Sequence, residues 1–240
     1  MFIIFHYLEV LSPHSLEDLN LWFFLTIFLD FYHRSHYSDG TGGAIVMTDT
    51  DRLTWKTIEK RKVFDGPIFD IRKVRRISSD GREGEFIEIN APLWATVIPW
   101  FRDDRGIPSF LMVRQYRHGS DSVTIEFPAG TVDPGESPKD AAMRELLEET
   151  GCVPLGAVHE IGAVSPNPAI MNNRVWFYFV EGVRKVGTQN LDRNEQLDIL
   201  TIPVQEVIDS MGTGSYDNGI MMIAQAFFLR FAQKRPDILQ

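Results

Sequence analysis

The chain has 240 residues, 44% of them hydrophobic and 24% charged, with a formal net charge of −9 at pH 7. That composition suits a globular protein with one domain plus an extension, and the acidic balance argues against non-specific nucleic-acid binding, which needs a basic surface. The single cysteine, Cys152, excludes a disulfide within this sequence and suits a reducing cytoplasm.

Residues 1–46 differ from the rest of the chain. Residues 21–31 are intensely apolar but about half as long as a bilayer crossing requires. They include Asp30, no basic region precedes them, and no small-residue cleavage site comes after. A signal peptide or membrane anchor is therefore disfavoured, and no stable membrane association is expected. A docked amphipathic segment is one alternative. The preferred reading starts the domain near Met47, after the glycine-rich residues 39–43, with residues 1–46 an over-extended gene start.

Downstream, alternating apolar and polar residues predict strands at 55–59 and 68–74, divided by Asp65-Gly66-Pro67, and at 84–90 after the hairpin turn Asp80-Gly81. Residues 95–100 and 108–116 flank a turn at 103–106, and 123–127 forms another strand leading into Pro128-Ala129-Gly130. Further strands are expected at 157–162, 174–181 and 198–202, with helices at 204–211 and 220–233. The last helix is strongly apolar, as for packing on a sheet. Strands on both sides of a central helix, with helices at the end, indicate a mixed α/β layer fold.

That central helix carries most of the chemical information. Ser137 is its predicted N-cap, Pro138 its first residue, Asp140 a side chain able to reach back to the cap, and Gly151 its left-handed terminus. Glu145, Glu148 and Glu149, at i, i+3 and i+4, project from one face. Their mutual repulsion, in a last turn whose dipole already disfavours anions, is a pattern that a bound cation makes sensible. A hard divalent ion such as Mg²⁺ fits an all-oxygen set. Met143, Leu146 and Leu147 supply a docking face, and Gly130 and Gly135, bracketing Asp133-Pro134, let the backbone approach a ligand.

Gly130, Glu136, Arg144, Glu145, Leu146, Glu148, Glu149 and Gly151 fill every fixed position of G-x5-E-x7-R-E-U-x-E-E-x-G-U, U being a bulky aliphatic residue. The run resembles the signature of the Nudix hydrolases, departing only at Cys152, which stands at the last aliphatic position. The resemblance covers residue 53 to the C-terminus. It implies an α/β/α sandwich around a mixed sheet and, in its ADP-ribose pyrophosphatase-like branch, a small antiparallel N-terminal sheet that pairs across a homodimer. The implied organisation is residues 1–46 as the atypical extension, 47–90 as the dimerisation sheet and 91–240 as the hydrolase domain.

The resemblance also implies roles. Glu145, Glu148 and Glu149, with the carbonyl of Ala129, are the expected ligands of Mg²⁺, Mn²⁺ being a possible substitute. Glu136 and Arg144, with Gly130, are expected to brace the loop against the helix. In Arg114-Gln115-Tyr116-Arg117, Arg117 matches an arginine that binds substrate phosphate through a bidentate fork. Glu195, in the loop 191–196, matches a catalytic or metal-binding glutamate. The implied activity is hydrolysis of the diphosphate bond of a small nucleoside diphosphate derivative, with ADP-ribose giving AMP and ribose 5-phosphate as the leading case. An NDP-sugar, a dinucleotide or an oxidised nucleotide are alternatives, as is a non-catalytic ADP-ribose sensor. The expected location is cytoplasmic. Relatives often carry glycine where Asn167 stands in Ser165-Pro166-Asn167-Pro168-Ala169, which leaves the substrate open. The group Arg72, Lys73, Arg75 and Arg76 reads as an exposed strand face, His118 and His159 as surface or packing residues, and Trp55, Trp94 and Trp100 as core aromatics before base-stacking platforms.

Overall fold

The computed structural model describes residues 50–239. The readings for residues 1–46 lie outside the described residues. Every described helix and strand belongs to the unit Asp51–Gln240.

This unit opens with an antiparallel sheet in the order β1 (Trp55–Asp65), β2 (Asp70–Ser78) and β3 (Glu83–Asn90). β1 runs well past residue 59, where the alternation breaks, because bulges between Thr57 and Glu59 and between Lys62 and Phe64 shift the register without ending the pairing. The basic residues of β2 meet acids along and across the sheet: Arg72 with Asp70 of its own strand at 2.6 Å, and, on β3, Lys73 with Glu85 at 2.6 Å and Arg76 with Glu88 at 3.5 Å. Gly81 (φ +86°) turns β2 into β3.

A seven-stranded sheet forms the centre. Its path runs β12 (Leu197–Pro203), β5 (Pro108–Arg117), β4 (Trp94–Arg102), β10 (Val175–Glu181) and β9 (Val158–Val164). β4 and β10 are parallel and the other pairs antiparallel, so the sheet is mixed. β4 and β5 pair only between Trp100↔Phe110 and Arg102↔Pro108. Beyond that point β6 (Ser122–Glu126) pairs with the end of β5, and β7 (Ala129–Thr131) with the start of β4. A two-stranded sheet joins β8 (Cys152–Pro154) to β11 (Val183–Lys185). Strands β7, β8 and β11, three residues each, are too short for a periodic signal in the sequence.

Each face of the central sheet buries a core. On one, Ile98, Phe110, Met112, Phe177 and Phe179 pack with α2 (Val204–Ser210) and with Met221, Ala224 and Phe228 of α3 (Gly219–Ala232). On the other, Ala95, Val97, Leu111, Tyr178 and Val180 pack with Ala141, Ala142 and Leu146 of α1 (Pro138–Thr150). The layers are α/β/α, as expected. Phe228, fully buried against Phe110 and Phe179, is one side chain whose truncation to alanine would cost about 3–5 kcal/mol. The docking face of α1 differs from the sequence reading: Leu147 is 41% exposed, and Ala141 and Ala142 take its place in the core. Among the described residues no helix is long and apolar enough to cross a membrane.

Candidate active site

Helix α1 is held at both ends as its sequence requires. Ser137 is extended and its hydroxyl accepts from the backbone N–H of Asp140 at 3.1 Å while donating to the Asp140 carboxylate at 2.7 Å. Gly151, at φ +69°, closes the helix with its N–H on the carbonyl of Leu147. The segment after β11, which no sequence motif singles out, caps the remaining carbonyls. Asn190 N–H donates to Glu148 O at 2.8 Å, and the Gln189 amide to Glu149 O at 2.8 Å. These satisfy groups that a helix C-terminus leaves unpaired.

The acids of α1 are not equivalent. Arg144 donates through Nε and Nη2 to both oxygens of Glu136, each at 3.0 Å, and through Nη2 to the carbonyl of Thr131 at 2.9 Å. Its Nη1 donates to Glu145 at 2.7 Å and to Glu148 at 3.0 Å. One guanidinium therefore ties the loop to the helix and hydrogen-bonds three carboxylates, and it holds Glu136 below the usual carboxylate range. Glu149 sits apart. It is 3% exposed, and the only hydrogen bond to its carboxylate among the described residues comes from the N–H of Ala129 at 3.3 Å. Burial, then the charges of Glu145 and Glu195, push its carboxyl well above the ordinary range. Burial also raises Glu145, against the pull of Arg144.

Gly130 completes this arrangement. A Cβ there would stand 2.0 Å from Oε1 of Glu145, so only glycine lets that carboxylate lie against β7. Because Arg144 turns Glu145 and Glu148 toward itself, no three His, Cys, Asp or Glu side chains among the described residues stand gathered around a point where a metal ion would sit. The donor chemistry nonetheless fits a hard cation: a buried carboxylate with one weak donor and two like-charged neighbours is the group a divalent ion would relieve.

Arg117 and Glu195 reach the same region through strand register. The ladder between β12 and β5 ends at Leu197 opposite Gln115, and the turn before it holds Glu195 close enough for its charge to act on Arg117. Glu195 is exposed on a turn in which its carboxylate accepts from the N–H of Asp192 at 3.2 Å, and its charge is felt by Arg117, Glu145 and Glu149. Arg117 makes a fork with Glu126, Nε at 2.9 Å and Nη2 at 2.6 Å, and Thr124 donates its hydroxyl to the same carboxylate. Glu126 is fully buried and was not marked by the sequence. Burial works to raise its carboxyl, yet Arg117 holds it below the usual range.

Other candidates lie elsewhere. Trp100 donates to the carbonyl of Ile238 and packs on Phe179, and Trp94 packs against the same core. His159 stacks on Phe179 and lies 2.9 Å from Glu181, while His118 rests edge-on against Tyr116. Trp55 meets Phe86 edge to face at 5.4 Å. These two line a cavity of about 570 Å³ together with Arg76, Glu88 and residues 168–172, so the Pro166–Pro168 loop ends against the N-terminal sheet.

Residues 92–218, more than half of the chain, match the NUDIX domain family. The chain is 24% identical over 181 residues to the methanol dehydrogenase activator of Bacillus methanolicus, spanning 75% of this chain and 95% of that protein. It is 26% identical over 157 residues to an ADP-ribose pyrophosphatase of Bacillus subtilis, spanning 65% and 82% of the two chains. An ADP-sugar pyrophosphatase of Mus musculus is 34% identical over 119 residues, 49% of this chain and 51% of that protein. The fold is similar to the crystal structure of an ADP compounds hydrolase, with a TM-score of 0.64 at 19% identity over 75% of this chain and 95% of that one. With its signature helix and this family match over more than half of its length, the chain belongs to the NUDIX domain family.

Proposed function

We propose that the chain hydrolyses the diphosphate bond of a nucleoside diphosphate derivative, with ADP-ribose, split to AMP and ribose 5-phosphate, as the leading substrate. The observation that carries this reading is Glu149, buried with one donor at 3.3 Å to its carboxylate, and within the charge field of Glu145, Glu195 and Arg117. A diphosphate resists attack because its own oxygens repel a nucleophile, so its hydrolysis needs positive charge and fixed donors. Mg²⁺, with Mn²⁺ as a substitute, would be held by Glu145, Glu148, Glu149 and the carbonyl of Ala129. An ion held by these residues would supply charge neutralisation for the phosphates and a lowered pKa for bound water. Arg144 braces the helix against the Gly130–Glu136 loop and keeps its acids aimed. Arg117 grips phosphate oxygens, and Glu195, on its exposed turn, accepts the proton of the attacking water.

We assign the nucleoside end of the substrate to the cavity by Trp55 and Phe86, whose aromatic walls suit a planar base. In this reading residues 47–90 form the dimerisation sheet and 91–240 the hydrolase domain. The exposed Ile58, Val63 and Phe64 of β1 support pairing with a second copy. The unpaired, buried Cys152 is in keeping with a cytoplasmic location.

The test is release of AMP and sugar phosphate from ADP-ribose, NDP-sugars, dinucleotides and oxidised nucleotides in Mg²⁺. Glu145→Gln and Glu149→Gln should each lower kcat by orders of magnitude with an unchanged circular dichroism spectrum. Near-wild-type turnover in both variants would overturn the site. Faster turnover of an NDP-sugar than of ADP-ribose would move the substrate toward that of the mouse relative's name, and tight ADP-ribose binding without product would identify a sensor.

A further inference from the structure

We propose that Glu126 is a positioning residue: its buried carboxylate fixes the guanidinium of Arg117 by one edge so that the remaining nitrogen is presented to a substrate phosphate. The inference rests on the reading of Arg117 as a phosphate ligand. The side chain of Glu126 is 0% exposed while that of Arg117 is 42% exposed, so the pair runs from the interior to the surface with its acid at the root. Nε and Nη2 are both used, at 2.9 and 2.6 Å, and Nη1 has no hydrogen-bond partner among the described residues.

Register explains the direction of the side chain. Arg117 pairs with Ser122 and Val113 with Glu126, so Arg117 must lie back along β6 to meet Glu126. Ala129, whose N–H meets Glu149, comes three residues after Glu126. The fold-back therefore sets the guanidinium over Glu126, partly exposed and within the charge field of Glu149 and Glu195. Thr124 adds a second fixed donor to the carboxylate.

A purely structural role explains the pair poorly. Burying a carboxylate is costly even when it is paired, and an apolar residue of similar size generally serves stability as well or better. Phe127 next along the chain and Val113 across the pairing are fully buried apolar residues, so such a replacement has suitable neighbours. What the charge adds is orientation. An arginine already held by two bonds has lost its rotamer freedom before substrate arrives, so that loss no longer weakens binding.

The experiment compares Arg117→Ala, Glu126→Gln, Glu126→Asp and the Arg117→Ala/Glu126→Gln double variant. It reads KM and kcat for ADP-ribose, and the Kd of α,β-methylene ADP-ribose by calorimetry. Glu126→Gln should raise KM and Kd about tenfold while kcat stays within about twofold, and the double variant should be no worse than Arg117→Ala alone. Glu126→Asp, which keeps the charge, should recover part of the loss. Additive losses, or a fall in kcat with KM unchanged, would overturn the proposal. An effect of Arg117→Ala without one of Glu126→Gln would sink this inference alone, whereas no effect of Arg117→Ala would remove the reading beneath it. Should Glu126→Gln fail to fold, Thr124→Val removes only the hydroxyl donated to Glu126. It should raise KM in the same selective way, and an unchanged KM would count against the proposal.

Discussion

Gly130→Ala separates the aim of the metal-side acids from the stability of the fold. The added methyl would stand 2.0 Å from Oε1, 2.1 Å from Cδ and 2.6 Å from Oε2 of Glu145, where ordinary contact begins near 3.4 Å. The Glu145 carboxylate must therefore retreat by about 1.4 Å, the difference between 3.4 and 2.0 Å. It can do so, because it is the far end of a flexible side chain, whereas β7 is held to β4 by its ladder. Its 2.7 Å bond from Arg144 is lost, which for a partly exposed pair costs up to about 1 kcal/mol. Replacing glycine by alanine at a compatible backbone position stabilises by about 0.4–1 kcal/mol. The two roughly cancel, so Tm should move by no more than about 4 °C.

Activity should respond very differently. A misplacement of about 1 Å in a positioned group costs on the order of 10²-fold in rate, so kcat for ADP-ribose should fall by about that factor. The assay pairs a thermal melt with steady-state kinetics in saturating Mg²⁺, and adds Mn²⁺ affinity by paramagnetic titration. A kcat within about threefold of wild type, with unchanged Mn²⁺ affinity, would refute the placement of Glu145 in the reaction. A Tm lowered by more than about 10 °C would refute the claim that the side chain yields before the backbone.

Three further outcomes rest on the same structure. Ser137→Ala removes the N-cap of α1 and should lower stability by about 1 kcal/mol in urea titration, with kcat retained. Gly151→Ala should cost more, about 1–2 kcal/mol or above, because φ is +69° and the new Cβ would meet the Gly187 carbonyl at 2.4 Å. Glu181 is held below its ordinary value of 4.5 chiefly by the hydrogen bond from Arg235, with His159 acting the same way and burial opposing. A depressed carboxyl contributes stability that is present above the ordinary value and lost as pH falls through the depressed one. Melting temperature should therefore drop on acidification below about pH 4.5, and drop less steeply in Glu181→Gln than in wild type. Equal slopes in the two proteins would remove Glu181 from the account.

What the sequence made legible depended on local rules. Ser137 and Gly151 bound α1 because capping is decided within four residues, and the longer strands of the central sheet arise from runs long enough to display a period. Strand alternation gives a period but not which side faces inward. In Ser122-Val123-Thr124-Ile125-Glu126 the polar residues would be read as the wet face, yet Val123 is 48% exposed while Thr124 is 2% and Glu126 0% exposed. The polar side is buried there because Arg117 comes back over it, and that pairing is visible only once β5 and β6 are in register. Gln189 and Asn190 escaped notice for the same reason: their capping of α1 joins segments forty residues apart.

The acid-rich helix itself takes on a more divided meaning. Repulsion among Glu145, Glu148 and Glu149 would, taken alone, call for a bound ion simply to hold the helix together. Arg144 already answers most of that need, since its three nitrogens reach Glu136, Glu145 and Glu148. Glu149 is the acid left over: it is buried, has one donor at 3.3 Å and feels two carboxylates. The helix therefore carries its own structural cation, and the destabilised charge falls mostly on Glu149, with Glu145 also raised by burial. A fold relying on the metal for cohesion would spread the unpaired charge over all three acids. Concentrating it on Glu149 keeps the helix formed while leaving one carboxylate with a strong reason to bind a cation, which is the division of labour expected where the ion serves catalysis more than folding.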